Sequence, residues 1–289
     1  MKFVELSCII KKTSEEGEKM RRKRGIILIV ALLIVLVALY VAVFHSKNHK
    51  VAVLCYHNLA TKEEMANFQD EKDWTIDVTN FEKQLQYLQK QHYKTLTMDE
   101  FHRWKKGELE VPYKSVLITF DDGFLSNYHY AFPLLKKYNM NATVFLIGKS
   151  VDLATQEEWD GNIKTYMPMS LVEKSKEEYP NIDFCSHSYG LHEQNALREN
   201  SINDMKDDDT IFQQLIVKTN VFAYPFGSYN QAITEALKEK DYVMAFRYGP
   251  TKHDYKKASR NDDNYAISRL NVSHGMAIWK FGLRLWLPN

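Results

Sequence analysis

No Cys-x-x-Cys pair occurs anywhere in the 289 residues, which excludes a zinc site built on paired thiolates. If the chain holds a metal, its ligands must be histidine and carboxylate. Glycine and proline are also scarce, at 11 and 7, and residues 51–289 contain no Pro/Gly/Ser-rich linker and no internal repeat. That absence argues for one domain of about 240 residues. Charge of one sign is missing too: the formal net charge is +1, so no bulk electrostatic attraction to nucleic acid is expected.

Long uncharged runs are missing except for one. Residues 25–44, GIILIVALLIVLVALYVAVF, carry no charge, and twenty such residues suffice to cross a bilayer as a helix. KMRRKR precedes them, and Lys47 and Lys50 alone follow closely, so the positive-inside bias places the N-terminus in the cytoplasm and the rest outside. The run exceeds a usual signal-peptide core, and VAVFHSKNHK offers no clear small-x-small cleavage site. An uncleaved signal anchor is expected at 25–44, with a basic cytoplasmic tail at 1–24, a tether at 45–50 and an extracellular domain at 51–289. Of the three cysteines, Cys8 falls inside, while Cys55 and Cys185 fall outside in apolar, strand-like runs. Buried free thiols are expected there ahead of a disulfide.

Short apolar or β-branched runs alternate with helical patterns through the domain. Strands are expected at VAVLCY, KTLT, SVLITF, ATVFLI, IDFCS, VFAYPF, VMAFRY and AISRLNV. Helices are expected at FEKQLQYLQKQ, MDEFHRWKK, YHYAFPLLKKY, SLVEKSKEE, INDMKDDDTIFQQLIVKT, QAITEALKEK and AIWKFGLRLWL, with Asn80, Thr97 and Asn230 as N-caps. Seven or eight β–α alternations point to parallel strands, hence a barrel or a doubly wound sheet, with chemistry at the C-terminal strand ends.

Polar clusters stand at those ends. VLCYHN ends the first strand with Tyr56 and His57, and ITFDDG ends another with Asp121 and Asp122. DFCSHSYGLH carries His187 and His192, and FAYPFGSYN carries Tyr224, Pro225, Gly227 and Tyr229. Two adjacent carboxylates repel unless a cation or separate tasks divide them. One carboxylate with two imidazoles makes a three-ligand site for zinc or a similar divalent ion, and the second carboxylate is then free to act as a base toward water. The histidines are five apart, which on a helix turns them about 140° from each other. They converge only through a non-helical turn, which Gly190 permits.

TFDDG, a His-Ser-x-x-x-His segment and YPFG, in that order, resemble the polysaccharide deacetylases of carbohydrate esterase family 4, the NodB-homology domain, over nearly all of 51–289. The resemblance implies a distorted (β/α) barrel of about seven parallel strands, here preceded by one transmembrane helix. It implies Asp121 as general base, Asp122, His187 and His192 as ligands of one divalent ion (zinc, with nickel or cobalt as alternatives), and hydrolysis of a carbon–nitrogen bond. Two departures resemble the poly-β-1,6-N-acetylglucosamine N-deacetylases of biofilms: the five-residue histidine spacing, and Tyr56-His57 after the first strand where the commoner pattern has a C-terminal Leu-x-His. WTIDVTNFEKQLQYLQ and ISRLNV also look like that group. His57 is therefore the expected acid for the leaving amine, ahead of His274 in VSH. Tyr229, with Tyr224 and Pro225 beside it, is expected to supply an oxyanion-binding N–H. FAYPFG lacks the arginine that often precedes this motif, which leaves Arg269 as a candidate support for Asp121.

The resemblance implies an extracellular N-acetylglucosamine polymer as substrate and the polymer-synthesising glycosyltransferase in the same membrane as partner, and direct anchoring of an external domain after a basic N-terminus suits a Gram-positive surface. Trp74, Tyr189 and Phe226 are candidate stacking platforms for sugar rings. Peptidoglycan deacetylation is the neighbouring alternative. A catalytically silent glycan-binding protein of the same fold is the alternative from another class, and its signature would be loss of the base, a ligand or the acid.

Overall fold

A computed structural model describes residue 17 and residues 20–40, 49–194, 196–199, 201–248 and 256–287. The chain divides into two units, Met1–His49 and Lys50–Asn289. In the first, Met20–Tyr40 is a single helix of 21 residues, long enough at about 1.5 Å per residue to cross a hydrocarbon core. Residues 41–44 of the expected span, most of the basic tail including Cys8, and positions 45–48 of the tether lie outside the described residues.

The second unit contains eleven described strands: β1 (Lys50–Tyr56), β2 (Asn58–Ala60), β3 (Thr75–Asp77), β4 (Lys94–Thr95), β5 (Ser115–Phe120), β6 (Ala142–Leu146), β7 (Ile182–Ser186), β8 (Val221–Ala223), β9 (Met244–Phe246), β10 (Ala258–Ser259) and β11 (Leu270–Asn271). The main sheet runs β10-β1-β5-β6-β7-β8-β9, with β4 joined to β5 and β11 to β1. Only the β1–β10 pair in it is antiparallel. Every residue of β5 and β6 is buried, as expected for parallel strands covered on both faces.

The sheet curls into the distorted barrel. Ile267 pairs with Phe246 at the end of β9, and Leu270 pairs with Leu54 in β1, so residues 267–271 link the last strand to the first. The β7–β8 junction is a single pair, Ser186 with Phe222, which makes the curl uneven. Alternation then divides the core. Val51, Val53, Leu117, Phe145, Cys185, Ala223, Phe246 and Ile267 cluster in one core together with Phe101 and Trp104 of the helix Met98–Lys105. Ala52, Leu54, Tyr56, Ile118, Phe120, Val144 and Leu146 pack outward with Phe81, Leu85 and Leu88 of the helix Val78–Lys90.

The expected elements appear with local corrections. Asn80 does not cap its helix: Asp77 does, accepting from the Asn80 amide at 3.0 Å, and the helix starts three residues earlier than expected. Thr97 and Asn230 cap as expected. VFAYPF stops at Ala223, since Pro225 has no N–H for a ladder. YHYAFPLLKKY opens as a π-turn over Asn127–Ala131, where Pro133 cannot donate back to the preceding turn. The short β2–β3 pair and β10 carry no alternation and were not expected. Cys55 and Cys185 are buried free thiols.

Phe81 is fully buried, edge-on to Tyr56 at 5.3 Å and to Phe120 at 5.8 Å. Phe81→Ala is expected to destabilise the domain by about 3–5 kcal/mol, read as a lowered urea midpoint with unchanged m. A loss below about 1 kcal/mol would show that the helix Val78–Lys90 is not anchored through this side chain.

Candidate active site

The inward phase of each strand persists one or two residues past its end. Asp121 continues the phase of Leu117 and Thr119, His187 that of Asp183 and Cys185, His57 that of Val53 and Cys55, and Arg269 that of Ile267. All four side chains therefore converge at the C-terminal mouth of the barrel. A cavity of about 210 Å³ opens there, lined by His57, Trp74, Asp121, Asp122, Phe124, Tyr166, His187, His192, Phe226 and Tyr248.

Asp121 is buried, and Arg269 grips it with both guanidinium nitrogens, Nη1 to Oδ1 at 2.6 Å and Nη2 to Oδ2 at 2.7 Å. Burial pushes this carboxyl upward, but the Arg269 charge and hydrogen bonds outweigh it, aided by His187 and His57, and hold it well below the usual carboxylate range. Burial also pushes the Cys55 thiol well above its ordinary range. It stays an S–H and donates to Asp121 Oδ2 at 3.6 Å. His57 Nε2 stands 3.9 Å from the same oxygen, too far for a direct hydrogen bond and near enough for one intervening group. Asn127 Nδ2 donates to the His57 carbonyl at 2.8 Å, and the ring is flanked by Trp74 at 5.1 Å and Tyr248 at 5.4 Å.

Asp122 has φ 75 and Gly123 φ 80, so the chain reverses immediately after Asp121 and the two carboxylates diverge. A Cβ on Gly123 would lie 2.7 Å from Leu146 Cδ2, so glycine is required there for space as well as conformation. Asp122 Oδ1 lies 3.5 Å from His187 Nε2 and 3.3 Å from His192 Nε2. His187 Nδ1 faces the Ala223 carbonyl at 2.8 Å. A carbonyl only accepts, so Nδ1 carries the proton and Nε2 presents a lone pair toward Asp122. Burial lowers His187 to about 4, which keeps the ring neutral near pH 7.

A neutral imidazole nitrogen and a carboxylate oxygen, both acceptors, thus face each other with His192 alongside. The three donor atoms lie within 4.8 Å of one another. Two nitrogens and one oxygen around a common point, one histidine fixed in its tautomer by a carbonyl, suit a divalent ion with a position left open. Cys55, His57 and Asp121 also bring ligand-type atoms within 4.8 Å. That trio fits a metal less well, because Asp121 is committed to Arg269 and the thiol is protonated.

The turn joining the histidines uses Ser188, at φ 65, as its left-handed residue; Gly190 was expected in that part and does not take it. Asp208, in the helix Ile202–Leu215, accepts from the Tyr189, Gly190 and Leu191 amides at 2.7, 2.6 and 3.2 Å, and so pins the loop that delivers His192. Within KDDDT, helical phase with buried Met205 and Phe212 separates Asp208 from exposed Asp207 but not from buried Asp209.

Phe226 is the residue of the YPFGSY turn that lines the cavity, with its ring 5.0 Å from that of His192. Tyr224 and Pro225 are buried beneath it, and Tyr229 stacks on Tyr224 at 4.6 Å. Gly227, at φ 64, is tight against the Tyr248 carbonyl, where a Cβ would overlap the oxygen. The Gly227 and Ser228 amides close the turn on Tyr224 O and Pro225 O. His274 lies elsewhere, in a groove with Asp77, Asn80 and Lys83, its Nδ1 3.1 Å from Thr75 O. Tyr189 donates from its hydroxyl to Asp152 and does not line the cavity. Phe124 and Tyr166, stacked at 5.1 Å, complete the wall and were not singled out on sequence.

The mouth of the curled parallel sheet thus gathers a buried ionised carboxylate, a facing imidazole and a three-donor cluster. Residues 108–245 match the family model described as polysaccharide deacetylase, and the chain carries a polysaccharide deacetylase domain, whose family acts on carbon–nitrogen bonds. The chain is 29% identical over 239 residues to the Bacillus subtilis protein named "Putative polysaccharide deacetylase YxkH", covering 82% of this chain and 76% of that one. It is 29% identical over 254 residues to the poly-beta-1,6-N-acetyl-D-glucosamine N-deacetylase of Staphylococcus epidermidis, covering 80% and 81%. Among solved structures, the Streptococcus pyogenes deacetylase PplD in complex with acetate shares the fold with TM-score 0.67 at 21% identity, over 82% of this chain and 98% of that one.

Two predictions follow from the geometry. The Asp121 carboxyl titrates below its unfolded value, so the stability it adds is complete above about pH 4 and is lost as pH falls through the folded value. Arg269→Met leaves that charge buried and unpaired, and is expected to destabilise by about 3–5 kcal/mol at pH 7 and by less at pH 3. Equal losses at the two pH values, measured by urea unfolding, would rule out the ion pair as the cause. Asp208→Ala is expected to weaken divalent-ion binding by about 10–100-fold while the fold persists. Titration calorimetry with Zn²⁺ checks it, and an unchanged affinity would remove Asp208 from the support of His192.

Proposed function

We propose that the chain is a metal-dependent N-deacetylase of extracellular poly-β-1,6-N-acetylglucosamine, held at the cell membrane by residues 25–44 with the basic tail inside. The observation that carries the reading is the approach of His57 Nε2 to 3.9 Å from Asp121 Oδ2 in the cavity that also gathers Asp122, His187 and His192. An acid at the end of β1 and a base at the end of β5, beside a three-donor site, suit hydrolysis of an amide. The name of the Staphylococcus epidermidis relative supports the β-1,6 polymer, and the apolar helix Met20–Tyr40 supports the anchor.

Asp122, His187 and His192 are the residues that would hold the ion. A bound divalent ion supplies Lewis-acid polarisation of the acetyl carbonyl and acidifies a water molecule. Asp121 accepts a proton from the attacking water. It stays ionised for this work because Arg269 holds its charge. The new C–O bond forms as the carbonyl carbon becomes tetrahedral. The Tyr229 amide, which the turn's own hydrogen bonds do not use, is the donor proposed for the developing oxyanion. His57 Nε2 then delivers a proton to the amide nitrogen as the C–N bond breaks, releasing acetate and a free amine on the sugar. Trp74 and Tyr248 hold the His57 ring and exclude water from one side of it. The product amines are cationic near neutral pH and draw the polymer to anionic surfaces. The proposed partner is the polymer-synthesising glycosyltransferase of the same membrane, which would hand over the nascent chain.

The test follows acetate release by the full chain in detergent after metal removal and reloading with Zn²⁺, Ni²⁺ or Co²⁺. Oligomers of β-1,6-N-acetylglucosamine are set beside chitin and peptidoglycan fragments. Metal-dependent release from the β-1,6 oligomers is expected, reduced at least 100-fold in Asp121→Asn and in His57→Ala. Release from peptidoglycan alone would keep the chemistry and change the substrate. No release from any of them with metal bound would leave a glycan-binding protein.

A further inference from the structure

The helix Ile278–Trp286, IWKFGLRLW, buries Phe281, Gly282 and Leu285 against the domain. Gly282 lies against the Tyr87 ring, where a Cβ would come within 2.6 Å of the hydroxyl. On the outer side Trp279, Leu283 and Trp286 are 66%, 42% and 73% exposed. Their spacing of four and then three residues makes one apolar stripe. The helix carries Lys280 and Arg284 and no acidic residue.

This stripe lies beside the point where the chain enters the domain. Lys257 Nζ donates to the Leu285 carbonyl at 2.6 Å, and the next two residues, Ala258 and Ser259, pair with Val51 and Lys50. The last turn of the helix and the first residues of β1 therefore share one edge. Between Lys50 and Tyr40, the end of the apolar helix, stand nine residues. Nine residues span at most about 30 Å even when fully extended.

We propose that the Trp279–Leu283–Trp286 face docks into the headgroup layer of an anionic lipid bilayer. The inference rests on the anchor reading above. If residues 25–44 cross the bilayer, the short tether keeps this face at high effective concentration near the lipid surface. Indole rings favour the interface, where the ring is apolar and the N–H stays wet, and the exposed Lys280 complements anionic headgroups, whereas Arg284 donates to the Asn271 carbonyl at 2.9 Å. β1 leads from this edge to His57, so docking fixes the edge of the domain opposite to the catalytic mouth, which stays open to a polymer.

Fluorescence of the full chain in vesicles of phosphatidylcholine and phosphatidylglycerol tests this. The five tryptophans all lie in the domain, at 74, 104, 159, 279 and 286, so quenching by brominated acyl chains reports on the domain and not on the anchor. Bromolipid quenching is expected in the native chain and is expected to vanish in Trp279→Ala/Trp286→Ala, whose acetate release from short oligomers stays native. Native-level quenching in the double variant would overturn the docking. So would tryptophans quenched by aqueous acrylamide but not by bromolipid. If the double variant instead converts a native dimer to a monomer, a second copy of the chain occupies the face, and lipid docking is wrong. Flotation separates the two readings: a chain that floats without bromolipid quenching loses the docking and keeps the anchor, whereas one that fails to float loses both.

Discussion

Arg269 is completely enclosed by the barrel, and its charge is tolerable there because Asp121 accepts from both of its terminal nitrogens. Neither partner is worth much to the fold alone. An unpaired guanidinium or carboxylate in that interior would drive local rearrangement or neutralisation. Together they tie the segment that closes the barrel to the end of a central strand. The Arg269 Nε donation to Arg247 O at 3.2 Å extends the tie to the end of β9, and Phe145 underlies the guanidinium at 5.6 Å. The same pair keeps the Asp121 carboxyl ionised well into the acid range. One constraint therefore serves both closure of the barrel and the charge at its mouth.

The adjacent aspartates are the second consequence. With Asp121 fixed inward by Arg269, the next carboxylate must point elsewhere, and the left-handed Asp122–Gly123 turn makes it do so. Asp122 then meets His187 and His192 instead of its neighbour. The separation of roles comes from the backbone, and the cost of holding a non-glycine residue at positive φ is of order 1 kcal/mol. Strain at Asp122, Ser188 and Phe226 falls on three turns that border one cavity. Each lets a side chain or carbonyl reach a place that ordinary geometry denies it.

Sequence reveals those parts of the site that continue a strand's own phase. Asp121, His57 and His187 stand at the ends of apolar runs, so their place at the C-terminal strand ends is legible, while the inward face they take comes from the strand's phase in the fold. Asp122, His192 and Phe226 stand past turns, and their direction depends on backbone angles that residue identity does not announce. Gly190 seemed the natural pivot between the histidines, yet Ser188 is the left-handed residue, because Asp208 holds the Tyr189, Gly190 and Leu191 amides from across the domain. Long-range support of that kind leaves no local trace. The same holds for the cap at Asp77, hidden by a plausible Asn80, and for the short β2–β3 pair, whose residues 58–60 and 75–77 are too few to show a period. The longer strands and helices were legible, since burial on both sheet faces leaves unbroken apolar runs between amphipathic helices, whereas the short helices Lys62–Ala66 and Gly148–Leu153 and the two-residue β10 were not.

Barrel closure also explains why the acid candidate sits after the first strand. β11 pairs with β1 through Leu54–Leu270 and Cys55–Asn271, so the ends of these two strands form one corner above Asp121. A histidine past either end could in principle reach that corner, and the chain offers one after each. Val272 still bonds Cys55 O, but the chain then turns at Gly275, and His274 is drawn toward Thr75 O at the β3 end. His57 has no such alternative. Its carbonyl is held by Asn127, its ring is wedged between Trp74 and Tyr248, and its Nε2 is left facing Asp121. The two neighbouring strands thus divide the corner between them: the segment before β11 supplies the cation that keeps Asp121 ionised, and β1 supplies the imidazole that faces it.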